Sequence, residues 1–259
     1  MINNVAMTIA ETFTLPSRGK IYTGKNVSDT VTLRSMTTEE EMRRLSHTES
    51  PYKTLCSIID ACMVEDIGIS SYDMCIGDYQ FLLYKLRTVT YGSQYLNGST
   101  CPFCGRMNAE LINLDELVVK SFDDKMKEEW DNLFEIELPR SQAKLKLKYQ
   151  TPRTLDQMER DLKAYQTQFP ESTEDMTLVF TLKNCITAVE GKMMDTMQFI
   201  SFLKKLPMMD TNVLQKRIIA INNKVGVSNL VASKCKNPEC GNDYVATFRI
   251  TSEFFGPTI

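Results

Sequence analysis

Histidine is nearly absent from this 259-residue chain, where His47 stands alone. A single imidazole leaves triad, general-base and histidine-ligated metal schemes little to draw on. Long apolar runs are missing too. None approaches the ~20 consecutive residues that a membrane span needs, so no membrane contact is expected. Residues 1–15 carry no basic stretch ahead of an apolar block, so a signal peptide is not expected. Nor is there a strong charge of either sign: 30 Lys plus Arg stand against 33 Asp plus Glu, a net charge of -3. Without a basic excess nothing draws the whole molecule to nucleic acid, which is therefore not an expected partner.

What is present is cysteine, eight residues of it. Without export the thiols belong to a reducing compartment, where they stay free or bind metal and seldom form disulfides. The strongest pattern is Cys101-Pro102-Phe103-Cys104-Gly105, two thiols on one tight turn. A looser second pair, Cys235 and Cys240, is again followed by glycine. Glycine after the second thiol permits the left-handed backbone such a turn requires. Together Cys101, Cys104, Cys235 and Cys240 make a full tetrahedral thiolate set for one structural Zn²⁺, with no position left for water or substrate. An iron–sulfur cluster has the same ligand count, and a redox CxxC with an unrelated second pair is the other reading. Cys56, Cys62, Cys75 and Cys185 stand singly in apolar surroundings and read as buried small hydrophobes.

Hydrophobic residues make up 42% of the chain, enough for a sizeable core and one or two domains. The expected fold class is α+β, mainly helical with short antiparallel strands. Short strands joined by turns are expected across Phe13 to Tyr22, where Pro16 and Gly19 interrupt the apolar residues, and through Val31 to Arg34. Thr37 and Glu40 form a capping-box pattern that opens a helix through Leu45. Further helices are expected near 54–64, 78–89, 155–167, 174–188, 195–206 and 210–224. A hairpin is expected about the turn at Arg140-Ser141-Gln142, and strands at 109–114 and 244–250.

The order of these features repeats. Leu15-Pro16-Ser17 is echoed by Leu138-Pro139-Arg140, the helix start at Asp78 by Asp210, and Cys104-Gly105 by Cys240-Gly241. This predicts an N-terminal half, 1–120, and a C-terminal half, 121–259. Their repeat units run over about 11–120 and 133–259, joined at a zinc-ribbon-like four-cysteine site. Other patterns carry less. Gly19 to Lys25 nearly spells a phosphate-binding loop, but Asn26 stands where a Ser or Thr should hold Mg²⁺, and no helix pattern follows. Lys144, Lys146 and Lys148 line one face of a strand whose other face is apolar, an ordinary half-buried pattern.

The segments Leu15 to Tyr22, Leu33 to Glu40, Tyr91-Gly92, Cys101 to Cys104 and Glu253 to Pro257 together resemble the baseplate hub and hub-assembly proteins of T-even-type contractile-tailed bacteriophages. That resemblance implies a non-enzymatic structural or assembly component that binds other phage tail or baseplate proteins and takes no small-molecule substrate. It implies assembly in the host cytoplasm and a place in the virion tail baseplate. Members of that family vary in their cysteines, so the metal ligands are read from this sequence alone. The competing class is a zinc-ribbon protein that binds nucleic acid or transcription machinery, which the acidic charge disfavours. Near the C-terminus, Phe254 and Phe255 are adjacent on an extended segment, so either one ring enters the core and the other faces outward as a partner contact, or both rings close the local core.

Overall fold

The computed structural model describes residues 9–248 and 254–256. The first hairpin pairs β1 (Ala10–Thr14) with β2 (Thr30–Arg34), Phe13 opposite Val31. The short strand expected between Pro16 and Tyr22 does not form; residues 15–25 form turns. Its cause is Asp78, a buried carboxylate that accepts hydrogen bonds from the Ser17 N–H, the Ser17 hydroxyl and the Tyr22 hydroxyl. These bonds pin the loop onto the helix that carries Asp78. Gly19 has φ +69°, and a Cβ there would lie 2.3 Å from the Val27 carbonyl oxygen. The glycine that mimics a phosphate loop therefore serves close packing, and no helix follows it.

Helix α1 (Thr38–Leu45) starts where its capping box predicts, with the Glu40 carboxylate accepting the Thr37 N–H at 2.7 Å. Helices α2 (Pro51–Cys62) and α3 (Ile76–Tyr91) follow. The chain then makes the hairpin β3 (Gln94–Thr100) and β4 (Met107–Asn113), the short strand β5 (Val119–Lys120) and helix α4 (Lys127–Asn132). Strands β6 (Glu135–Glu137) and β7 (Lys144–Leu147) form the expected second hairpin. Glu135 faces Lys146 and Glu137 faces Lys144 across it, so two of the lysines in the stripe have acidic neighbours.

Helices α5 (Pro152–Gln168) and α6 (Thr177–Lys183) come next. The helix expected to run to residue 188 stops early. Ile186 to Val189 form β8, which joins β7 in a three-stranded sheet ordered β6-β7-β8. Long-range pairing overrides the local pattern there, and the β-branched Ile186, Thr187 and Val189 suit a strand. The chain continues through α7 (Thr196–Lys205), α8 (Met208–Asn222), β9 (Gly226–Val227), β10 (Leu230–Lys234) and β11 (Asp243–Thr247). β10 pairs with β11, and β9 pairs back to β5. The expected continuation of β11 to residue 250 runs into residues 249–250, outside those described.

The mixture of helices with short antiparallel strands encloses one large core. Asp156 of α5 ties distant helices together, accepting the Lys53 N–H at 2.9 Å at the start of α2 and the Tyr72 hydroxyl at 3.0 Å. A carboxylate at a helix N-terminus satisfies donors that have no intrahelical partner. Cys56, Cys62, Cys75 and Cys185 are buried as expected. Burial raises their thiol pKa values, to about 12 for Cys56 and about 11 for Cys62. Of the two arrangements open to Phe254 and Phe255 the structure takes the inward one, for both are core residues at 0% and 6% exposure. Phe254 sits among Tyr84, Tyr95 and Phe248, while Phe255 lies beneath Arg44, whose guanidinium also donates to the Phe255 carbonyl. The bend at residues 254–256 turns both rings inward, so neither is the outward contact expected of an extended segment. Among the described residues no helix is long and apolar enough to cross a membrane.

Candidate metal centre

Two hairpin tips build the centre. In the first, the Cys101 N–H donates to the Arg106 carbonyl and the Gly105 N–H to the Cys101 carbonyl, each at 2.9 Å. Gly105 takes φ +72° to close this turn, a conformation that costs a side-chain-bearing residue more than glycine. The second tip repeats the device. There the Cys235 N–H donates to the Asn242 carbonyl and the Gly241 N–H to the Asn237 carbonyl, again at 2.9 Å, with Gly241 at φ +59°. Each turn thus aims two sulfurs the same way.

The fold brings all four together. The Sγ atoms of Cys101, Cys104, Cys235 and Cys240 lie within 4.8 Å of one another. The close pairs cross between hairpins, Cys104 to Cys235 at 3.5 Å and Cys101 to Cys240 at 3.9 Å. A disulfide needs about 2.0 Å, and all eight cysteines are free thiols. A tetrahedral ion with metal–sulfur bonds of about 2.3 Å sets its sulfurs about 3.8 Å apart, close to the separations of the two cross-hairpin pairs. The cluster could therefore hold one thiophilic metal ion with little rearrangement.

Polar neighbours fix the sulfurs. Asn108, buried on β4, donates to the Tyr244 hydroxyl at 3.2 Å and accepts the Lys236 N–H at 2.8 Å, with its amide also 4.0 Å from the Cys235 sulfur. The Tyr244 hydroxyl reaches Ser99 on β3 at 2.8 Å, and the Asn242 amide lies 3.4 Å from the Cys240 sulfur. The two hairpins are thus joined by hydrogen bonds as well as by the thiol cluster. The Arg106 N–H, donating to the exposed Cys104 sulfur, draws that thiol down to about 7. At Cys235 the Asn237 N–H acts in the same sense but is outweighed by burial and the neighbouring thiols, which push it up to about 11. Cys104 thus ionises more easily than an ordinary thiol and Cys235 less easily, the two lying 3.5 Å apart.

A family model described as T4 bacteriophage base plate protein matches residues 7–256. The chain belongs to this family. No curated protein and no solved structure matches it. In this base plate protein several acidic groups outside the centre have structural partners. Asp60 accepts the Ser70 hydroxyl and the Ser71 N–H, and Glu39 and Glu41 pair with Arg43 and Arg44. Asn108, Asn242, Tyr244 and Lys236 escape sequence reasoning, because supporting polar residues follow no ligand spacing. Their one signal is proximity in sequence to the cysteines, as with Asn242 two places after Cys240.

Proposed function

We propose that this protein is a non-enzymatic component of the phage baseplate hub or of its assembly, built around a structural Zn²⁺ held by Cys101, Cys104, Cys235 and Cys240. Convergence of four sulfurs from chain segments over 130 residues apart carries the metal reading. Four protein thiolates fill a tetrahedral shell, which suits a structural ion and leaves no open coordination position. The short sulfur separations suit a single ion better than a multinuclear cluster, whose several irons would stand between the thiolates. Membership of the base plate family supports partners among other tail proteins; on this reading they are met in the host cytoplasm during assembly and the protein stays in the tail. A nucleic-acid role finds no support at the centre, since the outer hairpin face presents Leu96, Phe103, Met107 and Leu111 where phosphate would require cations.

The same reading holds that the halves 1–120 and 121–259 are pseudo-repeats. Each contains a two-stranded hairpin, two helices, a return of chain to that hairpin and a cysteine-tipped hairpin, preceded by one α-helix, α3, in the first half and by two, α7 and α8, in the second. Met63 bridges to Leu33 as Ile186 pairs with Leu147. Asp78 is the third residue of α3 and holds Ser17; Asp210 is the third of α8 and accepts the Arg140 and Ser141 N–H groups at 2.9 and 2.8 Å. The metal would then join equivalent tips.

Elemental analysis of protein purified with reduced thiols should find about one zinc per chain. Protein lacking both zinc and iron would overturn the metal assignment. Electron microscopy of particles from cells infected with a phage lacking this gene should find tails without complete baseplates; normal baseplates would remove the hub role.

A further inference from the structure

Strand β3 is an edge with unusual properties. Its sequence, Gln94-Tyr95-Leu96-Asn97-Gly98-Ser99-Thr100, holds no charge and no proline, and its seven-residue register with β4 shows no bulge. Exposed edges are ordinarily protected by such features, because unpaired backbone groups template pairing with other chains. Among the described strands of five or more residues, the others each carry a charged side chain: Glu11, Arg34, Glu110, Lys234 and Asp243. β3 alone is left open in this way.

Hydrogen-bond alternation shows which backbone groups face away from β4. Ser93 and Cys101 bond to Leu114 and Arg106 of the facing chain, so odd-numbered residues of β3 point their backbone at β4. Leu96, Gly98 and Thr100 direct their N–H and C=O groups to the other side. On β11 the bonds of Cys235 to Asn242 and Phe248 to Asn229 fix the same alternation, leaving Val245 and Thr247 directed away from β10. Both open edges border one groove of about 600 Å³. Its lining, residues 95–100, 102, 107 and 245–247, contains no charged side chain. Leu96, Met107 and Val245 are exposed apolar residues along it.

We propose that this groove receives one extended, uncharged segment of another protein by strand addition. Backbone pairing with Leu96, Gly98 and Thr100 supplies affinity, and the apolar side chains select alternate residues of the incoming strand. A charged segment would lose water on entry and find no counter-charge. The inference goes beyond the hub and zinc reading and does not depend on the metal.

Gly98 offers the test, since a Cβ there meets nothing within 4 Å and its φ is ordinary. Full-length wild-type protein, Gly98→Ala and Gly98→Lys would be immobilised and panned against a displayed library of random heptapeptides. Wild type and Gly98→Ala should enrich the same uncharged sequences, and Gly98→Lys should bind the synthesised winners at least tenfold more weakly while keeping its melting temperature. Bound peptide should slow amide exchange at Leu96, Gly98 and Thr100. Enrichment of charged peptides, enrichment indifferent to Gly98→Lys, or unprotected amides at those positions would each overturn the proposal. So would a sedimentation result in which wild type dimerises and Gly98→Lys does not, which would give the edge to a second copy.

Discussion

Single residues here are judged by what surrounds them. The Arg34 guanidinium holds the Glu40 carboxyl at about 2, below its ordinary 4.5, with Thr37 assisting and burial opposing. A depressed carboxylate pKa stabilises the fold above the unfolded value and loses that stability as pH falls toward the folded one. Glu40 should therefore contribute fully above about pH 5 and drop out between roughly pH 4.5 and 2, a contribution of about 3 kcal/mol by linkage. Urea titrations of wild type and Glu40→Gln should converge at the acid end and separate at pH 7. Glycines give a second contrast. At Gly77 on α3 a Cβ would lie 2.2 Å from the Val225 carbonyl oxygen, whereas at Gly98 it meets nothing. Alanine gains about 1 kcal/mol of helix propensity, but backbone overlap against β9 costs more, so Gly77→Ala should destabilise by about 2 kcal/mol. Gly98→Ala should be neutral or slightly stabilising in the same melts.

At the scale of elements, the cysteine-tipped hairpins are held from both ends. The thiol cluster closes their tips, and Asn108 bridges them through Tyr244 and Lys236. Removing the amide leaves a Lys236 N–H without its acceptor and loosens the sulfur positions. Asn108→Ala is expected to lower metal affinity about 10- to 100-fold, as loss of outer-shell support does elsewhere, read by competition with a chromophoric chelator. Cys104→Ser should act more strongly, abolishing tight binding. Spacing of the thiols and the glycines after them were legible in sequence because both follow from local turn chemistry. β3 and β10 were not, since Gln94 to Thr100 and Leu230 to Lys234 alternate weakly and acquire their strand character by pairing with β4 and β11.

For the molecule as a whole, the end of the chain returns to its first helices. Phe254 fills an aromatic cage with Tyr84, Tyr95 and Phe248, and Phe255 packs under Arg44. Phe254→Ala should cost about 3–5 kcal/mol and Phe255→Ala less, in thermal or denaturant unfolding, because a deeper ring leaves the larger cavity. A metal bound at the four cysteines would act on the same scale by closing a loop of over a hundred residues, so chelation should lower the melting temperature of the entire fold in a single cooperative transition. Sequence by itself determined what is local or compositional: the α1 capping box, the glycine-closed cysteine turns, the burial of four lone cysteines in apolar stretches, and the lack of an excess of basic residues. Only the tertiary structure decided that the Leu15 to Tyr22 segment is a loop gripped by Asp78, that Ile186 to Val189 is a strand, that both terminal phenylalanines are interior, and that two strand edges share a neutral groove. Each of these depends on groups distant along the chain whose meeting no short-range periodicity encodes.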